Sequence, residues 1–376
     1  MAHVNGHAGH NASEDNSLST FLQDAPVETG RGSTQPEGQS ATPEAAAHEE
    51  NGTRQPGEWA RVSSLAIKHL DRCVSLEPKV LQGDSPDAIH DLRVATRRLQ
   101  QVIDLVYPSP HSGEIRKLYR GLKRCRSSLS EIRNYDVLLE RVDTALSRKR
   151  TPRREAWEAI GDYLRELRSV RREKSLRKLA KANLSAIYVR LKECLPSDRD
   201  SAQAAPSAGR NGTGPGLTSD QFYERISEAL KTMWGALEQE VALSRHEHDA
   251  ASLHRTRIAA KRARYLIELI HAFGVSGSKE TLIWLRSLQT QLGDWHDLVV
   301  FEEAVIGMIA DRDFLHDHLE LAVQIERLIM RNRTMLSTLE KKYFEMTRDK
   351  TGFNKTREWV RAVVNSPAAL FAGSSV

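Results

Sequence analysis

The sequence predicts an all-α protein, built as two four-helix bundles related by a pseudo-twofold that stems from an internal duplication. Three observations carry that reading. Charged residues make up 28% of the 376 and aromatic residues only 6%, a balance that suits long, surface-rich helices rather than a β-sandwich or barrel. Between breaks, the apolar residues recur at intervals of three and four, not two. A stretch of helical pattern that begins at His90 returns at His254, as a repeated structural unit would.

Proline placement sets the elements, because proline is excluded from helix interiors. Pro78, Pro86, Pro108, Pro110, Pro152 and Pro196 punctuate the first part of the chain, and none occurs between Pro215 and Pro367. The first helix is expected over 59–76, stopping short of Pro78. Ser85 followed by Pro86 reads as an N-cap with proline at the first helical position, opening a helix over 86–107. Pro108 and Pro110 separate it from a helix over 113–149, and Thr151 with Pro152 reads as a second such cap, opening 152–194. Periodicity then gives helices over 218–248, 251–273, 277–310, 312–347 and 354–365.

Composition divides the chain further. Residues 1–57 are rich in Gly, Ser, Asn, Glu, Pro and Ala, lack apolar periodicity, and are expected to be disordered. A segment of similar character over 196–216 separates repeat one (58–195) from repeat two (217–366), and 367–376 forms a C-terminal tail. The net charge of +5 hides an asymmetry: residues 1–57 hold two basic residues (Arg31, Arg54) against eight acidic ones, and the rest of the chain holds 53 Lys and Arg against 42 Asp and Glu. An acidic tail on a basic body implies an anionic partner for the body.

Several classes are excluded or set aside. Cys73, Cys125 and Cys194 lie far apart with no C-x-x-C pair, which rules out a disulfide framework or a cysteine zinc cluster. His3, His7 and His10 are spaced to meet on a helix, but Gly6 and Gly9 argue against one, and no metal or other cofactor is expected. The longest apolar stretch, Leu298 to Ala310, is interrupted by Glu302 and Glu303, so no membrane span is expected. With no basic-then-apolar leader at the N-terminus, the expected location is cytoplasmic.

The duplicated stretch carries the functional signal. HDLRVATRRLQQVIDLV (90–106) aligns without gaps on HRTRIAAKRARYLIELI (254–270), pairing His90 with His254, Arg93 with Arg257, Arg97 with Lys261 and Arg98 with Arg262. Further on, LKRCRSSLSEIRNYDVLLE (122–140) parallels LRSLQTQLGDWHDLVVFEE (285–303), pairing Arg133 with His296. On a helical wheel at about 100° per residue, Arg93 and Arg97 fall within about 60° of His90, opposite Leu92, Leu99, Val102, Ile103 and Val106. The next basic helix adds Lys123, Arg126 and Arg133 within about 80° of one another. A single basic stripe would ordinarily be a solvated face. Here it occurs twice, with a histidine each time and few carboxylates at i±4 to neutralise it. Such a surface suits phosphate oxygens, which the forked donors of Arg match bidentately and Lys meets as a point charge.

These residues resemble the CHAD family, the conserved histidine α-helical domain. Its pattern is an H-x-x-R-[VI]-x-x-[RK]-R helix present twice, each followed by an L-[GS]-[DE]-x-[RH]-[DN]-like segment. HDLRVATRRL with LSEIRNYDV, and HRTRIAAKRARY with LGDWHDLVV, match both halves across 58–366. The common pattern has glycine where Ser130 stands and aspartate where Asn134 stands. The resemblance implies two four-helix bundles and a basic groove or channel that binds inorganic polyphosphate without enzymatic turnover. By the same resemblance, one half of that site is lined by His90, Arg93, Arg97, Arg98, Lys123 and Arg126, the other by His254, Arg257, Lys261, Arg262 and Arg264. Arg133 and His296 are added as residues that neighbouring acids could tie into ion pairs. Glu131, Asp136, Asp294 and Asp297 are read as helix-positioning groups. What binding would achieve is left open between targeting to polyphosphate granules, with protein partners there, scaffolding a partner, and sensing phosphate storage. Many members are fused to a triphosphate-hydrolysing β-barrel, and no part of this sequence reads as one.

Three rivals remain beside that reading. The His-Asp pairs at 90–91 and 296–297 suggest a metal-dependent phosphohydrolase, but Asp91 points about 100° away from His90 on a helix and the surrounding arginines disfavour a cation. The histidines could chelate a metal, against the same crowding. Nucleic acid is set aside because single strands call for stacking aromatics, and only Tyr119 and Tyr265 lie near the basic residues.

Overall fold

A computed structural model describes residues 58–83, 85–107, 113–194, 219–348 and 352–366. The expectations for the acidic tail, the linker over 196–216 and the C-terminal tail fall outside the described residues. Within them the chain is all-α. In order come α1 (Glu58–Gln82), α2 (Pro86–Val106), α3 (Gly113–Ser128), α4 (Ser130–Leu146), α5 (Arg154–Ala180), α6 (Leu184–Cys194), α7 (Ser219–Glu247), α8 (Ala250–Ala272), α9 (Ser278–Ile309), α10 (Arg312–Asp317), α11 (Leu319–Met346) and α12 (Gly352–Asn365). None of these helices is long and apolar enough to cross a membrane.

Local chemistry explains where the boundaries match and where they do not. Ser85 Oγ accepts from the Ala88 amide at 3.2 Å with Pro86 behind it, as the sequence predicts. The helix expected over 59–76 continues through Pro78 to Gln82, because Leu76 and Val80 bury their side chains on the far side of the ring. The single helix expected over 113–149 is broken at Leu129. Ser127, Ser128 and Ser130 turn their hydroxyls back onto the carbonyls of Arg124, Cys125 and Arg126, a competition with the helical ladder that serine is suited to. Thr151 does not open α5 either. Its hydroxyl donates to the carbonyls of Ala145 and Arg148, closing the chain after α4, and α5 starts beyond a left-handed Arg153. A left-handed Asn183 (φ 50°) ends the expected 152–194 helix early and caps α6 through its Oδ1. The expected 312–347 helix is likewise interrupted, at His318.

The buried apolar residues form two clusters, each drawing on both halves of the chain. The larger joins α1, α2, α3 and α6 to α7, α8, α12 and the first part of α9, with Leu70, Leu92, Leu99 and Ile103 fully buried and the Phe222 and Phe273 rings 5.2 Å apart. The smaller joins α4 and α5 to the C-terminal part of α9 and to α11, around Val142, Ile160, Phe301 and Ile325. A reciprocal pair of contacts ties the halves together. Arg61 of α1 donates to the Ala272 carbonyl at the end of α8 (3.2 Å), and Arg225 of α7 donates to the Val106 carbonyl at the end of α2 (2.6 Å). Each satisfies a carbonyl that the helix itself leaves open and places a cation at the negative end of its dipole. With those ends fixed, α2 packs against α8, which brings the two His-x-x-Arg stretches side by side.

Gly277, just before α9, has a left-handed φ of 74°, and a Cβ there would stand 2.7 Å from Trp359 Cδ1. Trp359 cannot swing away cheaply, since its indole N–H donates to the Ser276 carbonyl at 2.8 Å. Gly277→Ala is therefore expected to cost about 1–3 kcal/mol of stability, read as a lower urea midpoint. An unchanged midpoint would show that the α9–α12 corner relaxes freely.

Candidate functional site

Where α2 and α8 meet, cations lie below the surface. Arg93 is 1% exposed, Arg257 2%, Lys261 4% and Arg97 8%. Arg93 donates through Nη1 to the Arg126 carbonyl (2.7 Å) and to Ser130 Oγ (2.8 Å). It ties α2 to the break between α3 and α4 and lines neither cavity described below. The wheel places it on the face of His90, and its guanidinium turns to the Arg126 carbonyl at the break. Arg97 Nη1 donates to the Tyr265 hydroxyl (3.3 Å), and the Arg264 guanidinium lies over the Tyr265 ring at 4.7 Å, a cation–π contact in a desolvated setting.

A cleft of about 2450 Å³ opens beside this crossing. Of the expected residues, His90, Arg98, Arg133, Arg257 and Arg264 line it. They are joined by Arg141 of α4, Arg148 just after it, Arg165, Arg168 and Arg172 of α5, Arg286 of α9 and Arg331 of α11. Eleven arginines from both halves thus face one space, against eight carboxylates. Sequence reasoning missed the α5 group, although its spacing of three and four puts 165, 168 and 172 on one helix face. The carboxylates are partly committed. Asp136 accepts from Arg168 Nε at 2.6 Å with its side chain almost wholly buried, so it positions α5, as expected of it. Glu268 stands among Arg98, Arg264 and Arg286 at 3.6, 3.6 and 3.8 Å, a carboxylate shared by cations from α2, α8 and α9.

The remaining expected cations gather elsewhere. Arg97, Lys123, Arg126, Lys261 and Arg262 line a separate pocket of about 150 Å³ between α2, α3 and α8. The aligned pair Arg97 and Lys261 meets there, whereas the aligned pair Arg98 and Arg262 is split between the two cavities. His254 and His296 line neither cavity. Their rings pack with centroids 5.1 Å apart. Burial, then Arg257 and Lys261, pulls the His254 pKa down to about 4. Burial, then Arg257, His254 and Lys261, holds His296 lower still. Both are neutral at physiological pH. No ion pair involves His296 among the described residues. Asp91, the partner of His90 in sequence, pairs with Arg72 at 2.5 Å.

A model described as the CHAD domain matches residues 64–305. Two uncharacterized proteins of Mycobacterium tuberculosis, one from strain CDC 1551 / Oshkosh and one from strain H37Rv, are each 28% identical over 264 residues, covering 68% of this chain and 48% of the relative. The chain thus spans about half the length of the curated relatives it matches. The crystal structure of the CHAD domain from the plant Ricinus communis is similar in fold, with a TM-score of 0.52 and 20% identity over 81% of this chain and 92% of that one.

The histidine pair gives the fold a pH dependence of definite sign. In the unfolded chain His254 titrates near 6.5, and in the folded chain near 4. Between those values the unfolded state binds more protons, so stability falls as pH drops from 6.5 to 4, by about 3 kcal/mol for this residue. His254→Gln is expected to remove that share of the slope in urea unfolding across this window. Parallel pH profiles for the variant and the parent would contradict the buried, neutral assignment.

Proposed function

The chain belongs to the CHAD domain family, and from that premise we propose that it binds inorganic polyphosphate, without hydrolysing it, in the arginine-lined cleft. The observation that carries the reading is the convergence of eleven arginines from α2, α4, α5, α8, α9 and α11 and the α4–α5 turn on one open space. A flexible polyanion offers oxygens at every link, and planar guanidiniums can take them bidentately along its length. The cleft's volume of about 2450 Å³ leaves room for several links at once. Affinity is then the sum of many charge-assisted contacts, each modest in water.

The enzymatic rival loses support from its own residues. Of the two His-Asp pairs it would use, Asp91 is engaged by Arg72, and His296 is buried against His254. A metal-bound water would need open, convergent ligands instead. The nucleic-acid rival calls for exposed stacking rings, whereas Tyr265 is only 3% exposed and lies under Arg264. Polyphosphate has no base to stack, so the buried ring is no obstacle to it. Binding of this kind would serve to attach the protein, and any protein partner, to polyphosphate granules in the cytoplasm.

Arg148 and Arg331 are exposed and approach the cleft from the α4–α5 turn and from α11. Reversing both, as Arg148→Glu with Arg331→Glu, is expected to weaken long-chain polyphosphate binding by about tenfold or more and to lower the salt slope by about one per lost contact. Phosphate release with Mg²⁺ or Mn²⁺ is expected to stay at background. Unchanged affinity in the double variant would place the polyanion outside the cleft, and steady phosphate release by the parent would overturn the non-enzymatic reading.

A further inference from the structure

We propose that the outer face of α11 is a self-association surface, on which two copies of this chain pair antiparallel about a twofold axis. The surface is apart from the arginine cleft, and the proposal does not depend on what fills that cleft.

The exposed apolar residues are unevenly placed. Of the nine large ones exposed among the described residues, six fall within 306–335, and the other three, Val170, Val189 and Ile283, stand on three different helices. Scattered single residues are ordinary on any surface, whereas a gathered set marks a place of contact. Three of the six line up on α11. At about 100° per residue, Leu319, Val323 and Met330 fall within about 40° of one another, and they are 63%, 43% and 56% exposed. Leu328, Arg331 and Met335, which line the cleft, lie about 120–180° from Leu319. Ala322, Ile325 and Ile329 are buried on another side, at about 240–300°. The stripe is therefore a third face of the helix. It also lies beyond residue 305, where the match to the family ends.

Charge picks the occupant. From 311 to 320 the chain holds Asp311, Asp313, Asp317 and Glu320 against Arg312, and from 321 to 333 it holds Arg327, Arg331 and Arg333 against Glu326. A surface acidic at one end and basic at the other complements itself turned end for end, as an isologous twofold contact requires. Several of these charges are already committed: Asp317 to His316, Arg333 to Glu302, and Arg331 to the cleft. Glu320 and Arg327 are exposed and enter no ion pair among the described residues. They stand about two turns apart on one flank of the stripe, within about 20° of each other. A twofold axis crossing α11 between Val323 and Gln324 brings Glu320 level with the partner's Arg327, and Arg327 level with the partner's Glu320. In that register Val323 meets its own copy, and Met330 comes within about 3 Å, along the helix, of the partner's Leu319. Glu326, about 20° from Leu319 in the stripe, meets no cation, and its desolvation weakens the contact. A face of three apolar residues is small, so the association is reversible, with a Kd expected at about 10–100 µM.

The test is sedimentation equilibrium of the full chain without polyphosphate, at moderate salt and about 1–200 µM. The parent is expected to shift from the mass of one chain toward that of two. All the side chains substituted are exposed, and thermal melting at low concentration checks that each variant is folded. Val323→Glu is expected to weaken association about tenfold or more. Glu320→Arg and Arg327→Glu, made singly, each set like charges together twice and are expected to weaken it about fivefold. The two combined restore opposite charges and are expected to return within about twofold of the parent. Glu326→Gln is expected to tighten the dimer, a gain that no misfolded variant mimics. A parent that stays monomeric throughout overturns the proposal and leaves the stripe to a different partner. A dimer that Val323→Glu leaves intact also overturns it, by placing the contact elsewhere, and a combined variant that fails to recover overturns the antiparallel register. Polyphosphate affinity is expected to change less than about twofold in Val323→Glu, so the dimer and the cleft reading fail separately.

Discussion

Where α2 and α8 meet, Arg93, Arg97, Arg257 and Lys261 lie below the protein surface. Removing a cation from water costs several kcal/mol unless it is paired or hydrogen-bonded, so this one contact imposes conditions on everything around it. Arg93 meets the condition with a carbonyl and a serine hydroxyl at the break between α3 and α4. Arg97 and Arg264 share Tyr265. Glu268 serves three guanidiniums, one from its own helix and one each from α2 and α9. The histidines meet it by staying neutral, which burial and their cationic neighbours enforce.

The contact is held from its ends. Arg61 and Arg225 reach across the halves to the last carbonyls of α8 and α2, and both apolar clusters run through both halves. The halves therefore cannot part without exposing core. Cations fixed on packed helices keep their spacing, which is what the proposed binding of a polyanion requires.

Much of this was legible in the sequence. Helical periodicity and the Ser85–Pro86 cap gave the all-α class and the start of α2. The duplicated His-x-x-Arg pattern singled out the two helices that meet. Other features depend on contacts that periodicity does not see. A wheel places Arg93 and His90 on one face, but only the nearby α3–α4 break decides that Arg93 turns inward. The same break was hidden because serine tolerates a helix and also competes with its ladder. Arg98 and Arg262 align in sequence yet line different cavities, since the two halves surround them differently. The α5 arginines lay outside the repeated motif, and nothing local to α5 tells that it faces α2 and α8 across a cleft.

If one polyanion spans the cleft and touches both halves, as proposed, a crystal structure of the full chain with long-chain polyphosphate bound will show phosphates within hydrogen-bond distance of Arg168 or Arg172 from one half and of Arg264, Arg286 or Arg331 from the other. Density confined to one half, or lying on an outer face with the cleft arginines untouched, would contradict it.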